Sequence, residues 1–233
     1  MVTISQENDV VTLINVFTVE PQNQQKLVDI LVQATEKTMQ NLSGFVSANI
    51  HRSLDGVRVV NYAHWRRNED FEAMMKNPSA GEHMKPILEI SKPDFHLYEV
   101  AYTQNQAGLT TIQQGGEIAT FINHIKTTPE NQQKLLDFVI QNDKGGFSNH
   151  AGYRSANFHR SFDGERIVNY SHWDSETSFL EAIRNLLGDQ NIDMERANQM
   201  ATAGTKGLGE ADFRFYEVVL SHEAKEMSAQ KGA

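Results

Sequence analysis

The chain has 233 residues with 21 basic and 30 acidic side chains, and its net charge of −9 excludes a general nucleic-acid or anionic-membrane surface. It has no cysteine, which excludes a disulfide frame, a thiolate nucleophile and a thiolate metal site. No apolar stretch approaches the roughly 20 residues of a membrane span, and the N-terminus carries no basic run, so a cytoplasmic protein with small-molecule partners is expected.

In chain order, residues 10–18 (VVTLINVFT) are apolar and β-branched enough for a strand buried on much of both faces. Pro21 stops it and suits a first helical turn, where its missing N–H is not needed. Leu27, Ile30, Leu31, Ala34, Thr38 and Leu42 recur at three- and four-residue steps, which predicts a helix from Pro21 to Leu42 capped near Ser43-Gly44. Two runs follow, Phe45 to Ser53 and Val57 to Trp65. Leu54-Asp55-Gly56 between them signals a hairpin, because glycine accepts positive φ and aspartate satisfies turn amides. A second helical region starts at Asn68-Glu69, breaks at Pro78, resumes through His83 to Ile90 and is closed by Pro93. Phe95 to Tyr102 completes the unit as a strand, and the Gln-rich segment that follows suits a linker.

The unit is then written again. GFVSANIHRSLDGVRVVNYAHW (44–65) and GYRSANFHRSFDGERIVNYSHW (152–173) agree at 15 of 22 positions with a constant offset of 108, which marks a tandem repeat. Thr128 before Pro129 and Glu130 predicts a hydroxyl-capped start for the second copy's first helix. FRFYEVV (213–219) matches FHLYEVA (95–101) only if ten residues are inserted within Leu186 to Asp212, either a lid or a plain surface loop. Each unit therefore reads β-α-β-β-α-β, and the expected fold is α+β with two tandem ferredoxin-like domains. Their expected bounds are 1–104 and 117–221, the second with a longer second helical region, with a linker at 105–116 and a disordered tail at 222–233.

No phosphate loop, GxGxxG or GxSxG elbow is present. His51, His64, His159 and His172 alternate along the hairpins without a repeated carboxylate cluster, so no metal is expected. Strand parity is more informative. Val57, Val59, Asn61, Ala63 and Trp65 share one face, while Arg58, Val60, Tyr62 and His64 share the other. Asn61 and Trp65, repeated as Asn169 and Trp173, place N–H donors on an apolar face, where they need either structural partners or a ligand.

The pattern GF-x-SA-x-x-H-x-S-x-DG-x-x-VNY-x-x-W, preceded by E-P-x-N-x-x-K-L, resembles the antibiotic biosynthesis monooxygenase domain over both units. That resemblance implies that the two sheets pair as an intramolecular dimeric α/β barrel, an internal pseudo-dimer, with further self-association left open. It also implies oxygenation without cofactor or metal, in which an electron-rich phenolate or carbanion reduces O2. The implied partners are O2 and a small aromatic, quinol or polyketide-type substrate. By resemblance, Asn61, Trp65, Asn169 and Trp173 supply the catalytic hydrogen bonds. Anthrone oxygenases of the family carry a Tyr six residues after the Trp and an Arg on the second helix. Here Phe71 and Phe179 replace that Tyr, and Met84 beside Lys85 stands near the Arg, so these four are candidate substrate contacts. His64 and His172 replace a Gln of the family and are candidates too, although parity turns them away from Asn61 and Trp65. Two alternatives stand beside this reading. One is a non-catalytic binding or structural module on the same fold. The other is the haem-degrading branch, which resembles this chain at Asn15, Asn123 and His83 but has its helix Trp where Met74 stands.

Overall fold

The computed structural model describes residues 2–106 and 108–224. A short strand β1 (Val2–Ile4) leads into β2 (Val11–Val19), α1 (Gln24–Lys37), β3 (Phe45–Ser53) and β4 (Arg58–Trp65). Three short helices follow, α2 (Asn68–Met75), α3 (Pro78–Glu82) and α4 (Met84–Ile90), and then the long strand β5 (Ser91–Asn105). The second unit follows β6 (Thr110–Ile112) and runs β7 (Ala119–Lys126), α5 (Gln132–Gly145), β8 (Tyr153–Ser161) and β9 (Arg166–Trp173). It ends with α6 (Glu176–Leu187), α7 (Met194–Gly204) and β10 (Glu210–Glu223). The expected α+β repeat is present, and eight strands close one barrel in the order β10-β3-β4-β2-β5-β8-β9-β7.

Closure depends on two long strands that serve both units. Ser91 to Tyr98 of β5 pairs with β2 of its own unit, and Tyr98 to Asn105 pairs with β8 of the other. In the same way Glu210 to Tyr216 of β10 pairs with β7, and Tyr216 to Glu223 pairs with β3. The two sheets are thereby joined into one closed barrel, which covers edge N–H and C=O groups that a separate four-stranded sheet would present. The barrel interior holds Val16, Val60, Tyr62, Ile122, Val168 and Tyr170, and β1 paired with β6 adds Val2, Ile4 and Ile112 to it. The opposite face of each sheet packs against its own helices.

The repeated Asn-Gln-Gln of the helix starts has a local reason. Gln24 Nε2 donates to the carbonyls of Ser53 and Arg58 at 2.9 Å each, tying the first turn of α1 to the β3–β4 hairpin. Gln132 repeats both bonds to Ser161 and Arg166. α5 starts at Gln132 with Asn131 at its N-cap and no side-chain cap, so the Thr128 cap expected from sequence is not used. The predicted hairpin turn is present, with Gly56 at φ +84° and Asp55 Oδ1 accepting from Ser53 Oγ at 2.6 Å.

Several expectations change. α1 ends at Lys37, and a 3-10 turn at Met39–Asn41 replaces its last predicted turn. Gly44 is therefore not a helix cap. It sits at φ +82° where a Cβ would lie 2.2 Å from Asp70 Cγ, and its absence lets α2 pack against the start of β3. Pro93 lies inside β5 opposite Phe17, at a point where β2 borders the strand on one side and β8 has not yet begun on the other. Such an edge tolerates a residue without an N–H. The expected linker contains β6, and the stretch Leu186 to Asp212, within which the insertion falls, contains α7 rather than a plain loop. Of the expected tail, 222 and 223 belong to β10 and Ala224 N donates to Val46 O at 2.8 Å, while 225–233 lie outside the described residues. Among the described residues no helix is long and apolar enough to cross a membrane.

Candidate functional site

Each unit has a cavity between the helix-facing side of its sheet and its helices, with the same four side chains on the wall. In the first they are Asn15, Asn61, Trp65 and Phe71, and in the second Asn123, Asn169, Trp173 and Phe179. The two asparagines of each set are direct cross-strand partners, Asn15 with Asn61 and Asn123 with Asn169. All four Asn Oδ1 atoms are buried without a hydrogen-bond partner among the described residues, and so is Trp65 Nε1. Buried amides left this way carry a desolvation cost that a bound polar ligand relieves.

The cavities differ in size. The first encloses about 130 Å³, with Met74, Met84, Ala80 and Ile87 of the broken helices on its wall. The second encloses about 730 Å³ under α6 and α7, with Leu186, Met200 and Ala201 as its roof. Ligand sites run from about 300 to 1,000 Å³, so only the second has room for a polycyclic compound. Its aromatic wall is ordered by edge contacts. Trp173 meets Tyr153 at 5.2 Å and Phe179 at 5.4 Å between ring centroids, both nearly perpendicular.

The second cavity also carries polar groups that the first lacks. Ser171 replaces Ala63 on the sheet and has its Oγ buried without a partner. Asp143 of α5 and Tyr153 of β8 stand where the first unit has Thr35 and Phe45. Tyr153 OH donates to Asp143 Oδ2 at 3.0 Å. Burial pushes the Asp143 carboxyl up to about 6, with the Tyr153 hydrogen bond and the Lys144 charge pulling the other way. Burial and the neighbouring carboxylate raise the Tyr153 phenol.

The remaining sequence candidates are distributed as follows. Phe71 and Met84 line the first cavity and Phe179 the second, whereas Lys85 is exposed and lines neither. His64 and His172 lie inside the barrel, each ring against the preceding tyrosine at 5.3 and 5.5 Å, so neither reaches a cavity. Burial lowers both to about 4, and they are neutral near pH 7. His51 and His159 are also interior, paired with Tyr170 OH at 3.1 Å and Tyr62 OH at 2.9 Å across the pseudo-twofold axis. Tyrosine hydroxyls for His51 and His159, tyrosine rings for His64 and His172, and burial of all four explain these histidines as barrel filling.

Sequence reading placed Asn15 and Asn123 only with the haem-degrading branch and passed over Ser171, Asp143 and Tyr153. The signal was available in the repeat. Thr35/Asp143, Phe45/Tyr153 and Ala63/Ser171 are positions at which the second copy becomes more polar on the helix-facing side.

Comparison with known proteins bears on the family and the fold. A family model described as antibiotic biosynthesis monooxygenase matches residues 10–86 and 118–185. Tetracenomycin-F1 monooxygenase of Streptomyces glaucescens is 45% identical over 103 residues, which is 44% of this chain and 92% of that protein. The crystal structure of an anthrone oxidase-like protein superposes with a TM-score of 0.77 at 25% identity, covering 96% of this chain and 97% of that one. A protein of Fusobacterium nucleatum shares the fold, with a TM-score of 0.57 at 12% identity over 93% of this chain and 95% of its own.

Proposed function

Because this chain belongs to the antibiotic biosynthesis monooxygenase family, we propose that it is a cofactor-independent monooxygenase whose working site is the second cavity. Its substrate on this reading is a small polycyclic phenol or quinol of polyketide type, the class suggested by the tetracenomycin relative and the anthrone oxidase-like structure. The observation that carries the proposal is the 730 Å³ apolar cavity with Asn123, Asn169, Ser171 and Trp173 on its floor. Polar groups that are few and fixed in a dry pocket orient a substrate and favour its anion, because each donor is worth more where water is excluded.

The chemistry then follows from the substrate. An enolate or phenolate gives one electron to O2, the resulting radicals combine as a C–O bond, and the peroxide takes a proton. Loss of the second C–H proton breaks the O–O bond, so a CH2 group and O2 become a carbonyl and water. A cytoplasmic setting belongs to the same reading, since a chain without cysteine gains nothing from an oxidising compartment. Haem degradation is not supported by either wall. His83 lines the first cavity, whose 130 Å³ is too small for a macrocycle, and no histidine lines the second.

The test is O2 uptake by metal-stripped protein over a panel of anthrones and quinols. Asn169→Ala is expected to lower kcat about 10²-fold or more, the loss seen when one such donor is removed. Asn61→Ala leaves the rate within about twofold, because the first cavity admits no substrate. No uptake above buffer with any compound refutes the oxygenase reading, and the reverse order of the two variants refutes the choice of cavity.

A further inference from the structure

We infer that Asp143 is the general base of the second cavity and that Tyr153 holds its carboxylate in place. The inference rests on the monooxygenase reading for its substrate class. It adds the step that reading leaves without an agent, removal of the O–H proton of the substrate's enol tautomer before O2 is reduced.

Four observations converge on it. Asp143 and Tyr153 are the ionisable side chains among the residues lining the cavity. Asp143 is only 4% exposed, yet it is an acid on a helix that otherwise buries Leu135 and Leu136, and a carboxyl is costly there without a purpose. One oxygen, Oδ2, accepts from Tyr153 OH, while Oδ1 has no hydrogen-bond partner among the described residues. Tyr153 is in turn fixed against Trp173, its cross-strand partner, so acid, phenol and indole form one continuous wall. Along β9, Asn169 and Trp173 are four residues apart on one face, a span of about 13 Å. A fused-ring phenol lying along that strand reaches the asparagines with one oxygen and the Asp143 end with another.

Among the described residues no cation forms an ion pair with Asp143, and the Lys144 charge only partly offsets its burial. Lys144 turns its ammonium over the Tyr102 ring at 4.5 Å, Arg184 of α6 donates to Ile192 O, and Arg196 of α7 pairs with Asp189. The carboxyl therefore ionises close to neutrality, the range in which a general base is most effective. The step is a plain proton transfer. The O–H of the substrate's enol tautomer, in which the CH2 has already become CH, and the Asp143 carboxylate become the enolate and the Asp143 carboxylic acid, and the later protonation of the peroxide returns the proton. The first cavity has Thr35 and Phe45 at these positions.

The experiment combines anaerobic binding of an anthrone, whose anion is read by its visible absorption, with O2 uptake from pH 5 to 9. In the wild type the bound anion and kcat/KM both rise with a midpoint near 6. Asp143→Asn loses the bound anion and that midpoint and falls about 10²- to 10⁴-fold in rate. Asp143→Thr, the residue of the first unit, behaves alike and guards against an effect peculiar to asparagine. Tyr153→Phe keeps the reaction but moves the midpoint upward. An Asp143→Asn protein that still forms the anion with an unchanged pH profile overturns the inference. Anion formation that depends on Asp143 but brings no O2 uptake upholds the base and overturns the oxygenase reading. Failure of every anthrone to bind overturns both.

Discussion

The Asp143 carboxyl makes a prediction about stability that needs no substrate. Its usual value of 3.8 is pushed to about 6 by burial in the folded chain. Below about pH 4 the carboxyl is protonated in both states and contributes nothing. Between about pH 4 and 6 the unfolded chain ionises it while the folded chain retains the proton, so stability falls as pH rises. Above 6 both are ionised and the cost is constant. A shift of about two units at ~1.4 kcal/mol each puts that cost near 3 kcal/mol. Asp143→Asn keeps an oxygen to accept the Tyr153 hydrogen bond and removes the charge. Urea unfolding of both proteins from pH 4 to 8 checks this, because taking their difference cancels every other titrating group. The variant should gain on the wild type by ~3 kcal/mol between pH 4 and 6 and stay level above. A difference independent of pH, or one that moves in favour of the wild type, refutes the argument that the carboxyl is buried and unneutralised.

Other predictions use the same reasoning elsewhere. Gly44→Ala combines positive φ with a clash against the Asp70 side chain from its Cβ outward and should cost more than about 3 kcal/mol by chemical denaturation. Gly188→Ala, at φ +67° with open space around it, should cost only about 1 kcal/mol, and equal losses would show that the Asp70 contact is unimportant. Tyr62→Phe leaves the buried His159 Nε2 without its partner and should lower stability by ~1–3 kcal/mol without altering O2 uptake at the second cavity. His96 lies between Asp94 at 2.8 Å and Asp163 at 2.5 Å. Burial lowers it, but the two carboxylates outweigh burial and its value is raised above the usual 6.5. Its contribution is therefore complete below pH 6.5 and is lost as pH climbs through the raised value. His96→Arg, matching Arg214 at the other end of the barrel, should remove that alkaline decline in thermal unfolding profiles.

The repeat, the hairpin turn and the helix-facing parity of Asn61 and Trp65 were legible because each depends on local rules: a fixed offset, an Asp-Gly turn and a period of two. The register at which β5 leaves β2 for β8 was not legible, because it is decided by the other half of the molecule. Pro93 misled for that reason, ending a helix in sequence logic while standing on a temporarily open edge in the fold. The unequal cavities were equally hidden. They follow from how far α2 to α4 and α6 to α7 stand from their sheets, and no spacing in the chain encodes that distance. What sequence did encode was the chemical difference at 143, 153 and 171, which is visible only when the copies are subtracted rather than aligned for agreement.

The shared strands β5 and β10 have a consequence for heredity as well as shape. In a barrel made from two identical chains, any substitution appears in both pockets at once, so a change that suits a ligand in one must be tolerated in the other. Here both halves lie on one chain and each codon is read into one pocket only. The first unit can close its interior and hold the second unit's strand edges, while the second opens a chamber and places an acid in it. The cost is that neither half can be passed on alone, since each leaves the other with an unpaired edge.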